Sequence, residues 1–157
     1  KGLEKLAKIK NVKLNKSEFS LICDDLSEIS TYTKPIDRKV FRTMKNAFPG
    51  PYTFILNANN NIAKLFGTNK KEVGIRVPDH GFTRSLIKSL GHPLVSSSVH
   101  DDDEIIQYTT DPLTIFERHE NDVDAVINCG YGKNVASTIV KCTDDNPTIL
   151  RQGAGIL

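Results

Sequence analysis

The sequence predicts an α/β domain built on a mixed, twisted sheet, and three observations predict it. Apolar runs rich in β-branched and aromatic residues alternate with amphipathic helical segments through the first part of the chain. Strand-like runs then cluster at the C-terminal end, which favours mixed over purely parallel pairing. Three of the strands, Val73 to Arg76, Pro93 to His100 and Ser137 to Val140, run out into hydroxyl or guanidinium side chains, with Arg151 close behind. An open α/β sheet holds ligands in the crevice at its strand ends, where hydroxyls donate to phosphates and Arg forks onto oxyanions.

Taken in order, Leu3, Leu6, Ala7 and Ile9 have helical spacing and predict a short amphipathic helix ending near Lys10. Phe19 to Cys23 reads as a buried strand. Asp24 or Asp25 caps a short helix through Leu26 and Ile29, and Asp37 caps a longer one through Val40, Phe41 and Met44. Pro49-Gly50-Pro51 stops that helix and delivers the strand Tyr52 to Leu56. Asn57 to Asn61 is a polar connection, followed by a helical turn and the strand Val73 to Val77, which Pro78 ends. Phe82, Leu86, Ile87 and Leu90 form one face of a helix closed by Gly91. After the strand Leu94 to Ser97 and the acidic segment Asp101 to Tyr108, Asp111-Pro112 opens a helix through Ile115 and Phe116. Asp124 to Asn128, Ser137 to Cys142 and Pro147 to Arg151 supply the last strands.

At 157 residues, 38% hydrophobic and 25% charged, the chain has the composition of one domain with its own core, residues 1–157, and needs no disulfide staple. Cys23, Cys129 and Cys142 lie in apolar runs without metal-ligand spacing and read as reduced core thiols of a cytoplasmic protein. No apolar stretch reaches membrane-spanning length, so no membrane partner is expected. The formal charge of +2 is too small to announce a nucleic-acid binder, although Lys1, Lys5, Lys8, Lys10, Lys13 and Lys16 crowd the start. Lys1-Gly2-Leu3-Glu4-Lys5-Leu6 reads as mid-domain helix, so another segment is expected before it.

The chemistry-bearing residues leave two readings open. Strand alternation aims Ser96 and Ser98 to one side and Ser97 to the other. They are either donors for a carboxylate or phosphate, or a polar strand end capping its own backbone. Arg76, between Ile75 and Val77, must find an anion or snorkel out of the sheet, and a structural partner such as Asp79 is the alternative to a ligand. Neither Gly130-Tyr131-Gly132 nor Gly153-Ala154-Gly155 makes a phosphate loop. The acidic run Asp101 to Glu104 reads as a solvated loop rather than a metal site. His80, His92 and His119 read as surface residues, and Phe41, Phe48, Tyr52 and Phe54 as core aromatics.

Five blocks in order carry a family likeness: Pro49-Gly50-Pro51-Tyr52-Thr53-Phe54-Ile55-Leu56, Val73-Gly74-Ile75-Arg76-Val77-Pro78, Pro93-Leu94-Val95-Ser96-Ser97-Ser98, Ser137-Thr138-Ile139-Val140 and Ile149-Leu150-Arg151-Gln152-Gly153. Together they resemble the YrdC/YciO family, the threonylcarbamoyl-AMP synthase superfamily. The resemblance implies flanking helices and a concave basic groove that takes L-threonine, bicarbonate and ATP and yields threonylcarbamoyl-AMP for tRNA modification. It implies that Arg76, Ser96 and Ser137 bind threonine. It further implies that Lys10, Lys16, Ser98, His100 and Arg151 bind the nucleotide, with Mg²⁺ held mainly by the triphosphate. It also implies a tRNA or double-stranded RNA ligand as the alternative, and a strand with a Thr-x-Tyr motif before Lys1.

Departures from the synthase pattern point to the YciO branch. Ser98-Val99-His100 stands where synthases read Ser-Ala-Asn, and Lys10-Asn11-Val12-Lys13 where they read Lys-x-Arg-Pro. Lys141 stands where an Asp commonly follows. Loss of an Arg removes a fork of donors that a nearby lysine replaces poorly.

Overall fold

Period-two strands and period-3.6 helices sort the chain into one sheet, three of whose accompanying helices pack on one face. The computed structural model describes residues 1–100, 108–144 and 146–157. Its helices are α1 (Gly2–Ile9), α2 (Arg38–Ala47), α3 (Asn60–Phe66), α4 (Gly81–Leu90) and α5 (Pro112–His119). Its strands are β1 (Ser20–Ile22), β2 (Tyr52–Asn57), β3 (Glu72–Arg76), β4 (Leu94–Ser96), β5 (Thr138–Lys141) and β6 (Thr148–Arg151). The sheet order is β4-β1-β3-β2-β5-β6. β1 pairs parallel to β3 and β2 parallel to β5, while the other three pairings are antiparallel. The mixed sheet expected from the strand pattern is therefore present.

Alternation along each strand decides which face is core. Leu21, Phe54, Leu56, Val73, Ile75 and Val140 are all almost fully buried and pack with Ala7 of α1, Val40 and Met44 of α2 and Ile62 and Phe66 of α3. The residues between them, Ser20, Ile55, Gly74, Arg76, Ile139 and Lys141, are half-buried on the opposite, open face. Among the described residues no helix is long and apolar enough to cross a membrane.

Helix starts follow the capping logic read from sequence. Asp111 accepts from the Leu113 N–H with Pro112 in the first turn, and Asp37 accepts from Lys39 and Val40. The bonds from Lys39 and then Val40 hold the Asp37 carboxyl below its ordinary pKa. A folded-state value below the unfolded one gives stability that is complete above the unfolded value, about 3.9, and is lost as pH falls through the folded value. Asp37→Asn keeps a capping oxygen but removes the titration. Its melting temperature is expected to fall less than the parent's between pH 5 and pH 2, as read by circular dichroism; superimposable curves would contradict that.

Several expectations are corrected. Asp24 and Asp25 do not open a helix: Asp25 accepts from the Ser27 N–H at 2.7 Å, a local turn, and only a 3₁₀ turn, Ile29–Thr31, follows. Asp124 to Asn128 forms no strand: it pairs with none of the six strands, and with Val126 alone half-buried it has no apolar face to hold it against the sheet. Cys129, which follows that segment, is exposed, whereas Cys23 and Cys142 are buried. Burial pushes the Cys23 thiol up to about 12 and the Cys142 thiol up to about 11, so neither is a nucleophile at neutral pH. Phe41 is 40% exposed and leaves the core to Phe48, Tyr52 and Phe54. His119 is half-buried beside Asp122, while His80 and His92 are exposed. The acidic run Asp101 to Glu104 lies outside the described residues.

Candidate functional site

Sheet register assembles the open face into two transverse rows. In the first, Ser96, Ser20, Gly74, Ile55, Lys141 and Thr148 lie side by side across all six strands. In the second, Ile22 is beside Arg76, and Thr53 is beside Ile139, which faces Arg151. The hydroxyls and guanidinium groups of distant segments thereby meet in one cleft of about 320 Å³.

All eight residues singled out from the sequence line this cleft: Lys10, Lys16, Arg76, Ser96, Ser98, His100, Ser137 and Arg151. The helix α1 delivers Lys10 at its C-terminal end, where the Lys10 ammonium donates to the Ser98 carbonyl at 3.0 Å. Lys16 comes from the following 3₁₀ turn, Leu14–Lys16. Arg151 donates twice to the Ser137 carbonyl, from Nε at 3.1 Å and Nη2 at 2.9 Å, and from Nη1 to the Tyr108 hydroxyl at 3.3 Å. Tyr108 stacks on His100 with ring centroids 5.1 Å apart. Ser137 Oγ and Thr53 Oγ1 are 3.0 Å apart, and Ser96 Oγ donates to the Ser20 carbonyl at 3.4 Å.

Arg76 is the outlier in this network. Its Nε is buried without a hydrogen-bond partner, and Asp79 does not pair with it. Burial, and then the charge of Arg151, lower the Arg76 pKa, yet a guanidinium stays charged at neutral pH. Two guanidinium groups thus face one hydroxyl-lined hollow whose described lining holds a single carboxylate, Glu18. Such a hollow is built to accept an anion.

Sequence reasoning missed Ser20, Thr53, Phe19, Glu18 and Ile139 in the lining and Tyr108 behind Arg151. Ser20 and Thr53 were within reach: each is the polar residue opposite a buried neighbour, Leu21 and Phe54, in a period-two strand. Tyr108 was not, because its role rests on contact with Arg151, 43 residues away in sequence. The departures are also placed. Val12 lines the cleft, Lys13 is exposed and outside it, and Lys141 pairs with Glu72 at 2.8 Å.

The fold and the cleft define a mixed α/β domain with a cleft on its open sheet face lined by guanidinium groups and hydroxyls. The Sua5_yciO_yrdC family model, described as Telomere recombination, matches residues 1–153, and the chain belongs to this family. It is 40% identical over 138 residues to an uncharacterized protein of Haemophilus influenzae, covering 87% of this chain and 66% of that protein. It is 29% identical to the threonylcarbamoyl-AMP synthase of Bacillus subtilis, covering 98% of this chain but 45% of that enzyme. The crystal structure of Escherichia coli YciO superposes with a TM-score of 0.86 at 35% identity, covering 98% of this chain and 74% of that one. The P. abyssi Sua5 structure complexed with L-threonine shares the fold, with a TM-score of 0.83 at 19% identity over 96% of this chain and 44% of that one.

Proposed function

We propose that this chain binds L-threonine and ATP together in the cleft and acts as the core of a threonylcarbamoyl-AMP synthase-like protein. The observation that carries the reading is the pair Arg76 and Arg151 in one hydroxyl-lined cleft, with no ion-pair partner for either among the described residues. Relatives named threonylcarbamoyl-AMP synthase and a family structure with L-threonine support it. In this reading Arg76 takes the threonine carboxylate, and Ser96 and Ser137 orient the amino acid. Ser98, His100 and Arg151 meet the nucleotide, and Lys10 and Lys16 its phosphates. Mg²⁺ travels with the triphosphate, whose oxygens hold it.

The chemistry asks little covalent work of the protein. Threonine amine and bicarbonate give a carbamate with loss of water, and a carbamate oxygen attacks the α-phosphate of ATP and displaces pyrophosphate. Positioning and charge neutralisation carry the rate. The full-length protein is expected to release pyrophosphate only when ATP, L-threonine and bicarbonate are all present. Release that ignores the omission of threonine would overturn the reading.

A second reading, a tRNA or double-stranded RNA backbone as ligand, is favoured by the exposed lysines Lys1, Lys5, Lys8 and Lys13 on the segment that leads into the cleft. Such binding weakens with salt by roughly 0.7 to 0.9 log unit per log salt for each phosphate neutralised. A flat salt response removes it.

A further inference from the structure

Tyr108 acts on two residues of the cleft at once. Its ring stacks on His100 with centroids 5.1 Å apart and planes 31° from parallel, and its hydroxyl accepts from Arg151 Nη1 at 3.3 Å. His100 and Tyr108 face each other across an isolated antiparallel bridge, so backbone pairing as well as ring contact fixes them. His100 is nonetheless exposed and lines the cleft. We propose that the His100 ring, backed by Tyr108, is the platform on which the nucleobase stacks, so that the cleft selects purine over pyrimidine nucleotides. The inference rests on the reading of the cleft as a nucleotide site and extends it to the class of base accepted, with Tyr108 as a positioning residue.

The lining offers a base no other flat surface. Its second ring, Phe19, is 5% exposed and belongs to the core, which leaves His100 as the one exposed ring among the described lining residues. Phosphates, by contrast, already have Lys10, Lys16 and Arg151. Chain order agrees with this division. Ser96, Ser98 and His100 lie at alternate positions of one segment, all three in the lining, and each two-residue step spans up to roughly 7 Å. With the amino acid at Ser96 and a phosphate at Ser98, His100 stands at the end where an adenylate carries its base.

Stacking on such a platform favours the larger ring system. Every base has a π-face, and preferences come from stacking strength, which two fused rings increase over one. Tyr108 holds the imidazole before the ligand arrives, so little side-chain freedom is lost on binding. The same hydroxyl ties Arg151 to the pair, which keeps the phosphate contact and the base platform at one spacing.

The test is calorimetry of the full-length protein with Mg²⁺ and ATP, GTP, CTP, UTP or inorganic tripolyphosphate. Both purine nucleotides are expected to bind at least about threefold more tightly than both pyrimidine nucleotides. His100→Ala, at an exposed position, is expected to weaken ATP about tenfold, to abolish the purine preference and to change tripolyphosphate less than about twofold. His100→Phe keeps the ring face and is expected to keep affinity and preference. Tyr108→Leu frees the imidazole and is expected to lower the purine preference; a uniform loss across the four nucleotides would overturn its positioning role. Pyrimidine nucleotides bound as tightly as purine nucleotides overturn the inference and leave the nucleotide reading standing. Equal losses of ATP and tripolyphosphate in His100→Ala, or a loss in His100→Phe as large as in His100→Ala, would make the imidazole a phosphate ligand and also overturn it. Binding of no nucleotide at all removes both.

Discussion

Arg76→Met is expected to weaken L-threonine binding at least a hundredfold while leaving the protein as stable as its parent or slightly more so. The two effects have one cause. Arg76 is half-buried on β3, its Nε has no hydrogen-bond partner, and burial lowers its pKa, so folding desolvates a cation without compensating it. Methionine has similar length and no charge, and its burial there is expected to change stability by between zero and about 1 kcal/mol in the favourable direction. Binding runs the other way. A carboxylate that loses a bidentate charged donor in a desolvated pocket loses roughly 3 kcal/mol or more, which is the hundredfold weakening expected. Calorimetry and thermal unfolding on the same preparations separate the outcomes. A large loss of stability would make Arg76 a structural residue and remove it from the site.

Thr138→Val is expected to cost about 3 kcal/mol of stability, on the order of 10 °C in Tm, and to weaken ATP binding with it. Thr138 is fully buried on β5. Its hydroxyl accepts from the Gly153 N–H at 2.9 Å and the Gly155 N–H at 3.1 Å and donates to the Gly155 carbonyl at 2.6 Å. Valine has the same shape but leaves the Gly153 and Gly155 N–H groups unpaired, at about 1 to 3 kcal/mol each, while the Gly155 carbonyl keeps a donor in Gln152 Nε2 at 2.6 Å. The C-terminal segment passes too close for any other arrangement: a Cβ on Gly153 would stand 2.2 Å from the Ala136 carbonyl, and one on Gly155 2.3 Å from the Tyr52 ring. Arg151 and Ser137 sit on the two segments that this hydroxyl joins, so loosening it moves both. Thr138→Ser, which keeps the hydroxyl, is expected to recover most of the loss. A change below about 1 kcal/mol by urea unfolding would show that the segment is held elsewhere.

Local signals made most of the fold legible before any coordinates. Asp37 and Asp111 cap helices because a carboxylate at that position meets free N–H groups whatever the tertiary context. The apolar runs Tyr52 to Leu56, Val73 to Val77 and Ser137 to Cys142 were legible as strands, and each holds one in the sheet. Non-local competition was not legible. Asp124 to Asn128 has strand-like composition, but whether a strand forms depends on pairing with a segment distant in sequence, and none of the six strands pairs with it. Asp25 satisfied its own neighbours instead of opening a helix, an alternative open to any Asp in a loop.

The site was legible for a similar reason and within a similar limit. Arg76, Ser96, Ser137 and Arg151 stand at strand ends, where an open sheet collects its functional groups, and the five ordered blocks fixed which residues to watch. The register that lays Ser20 beside Gly74 and Ser96, and Thr53 beside Ile139, is a property of strand order, which the sequence alone does not display. Tyr108, which holds Arg151 and stacks on His100, entered only through three-dimensional contact.

That the converging guanidinium groups form one composite site for an amino acid and a nucleotide is tested most directly by calorimetric titration of the full-length protein with ATP, with and without L-threonine. Binding of both ligands to the same molecule, with threonine binding lost and ATP binding retained in Arg76→Met, is the predicted result. A folded protein that takes up neither ligand, or one whose threonine affinity is unchanged by Arg76→Met, would contradict it.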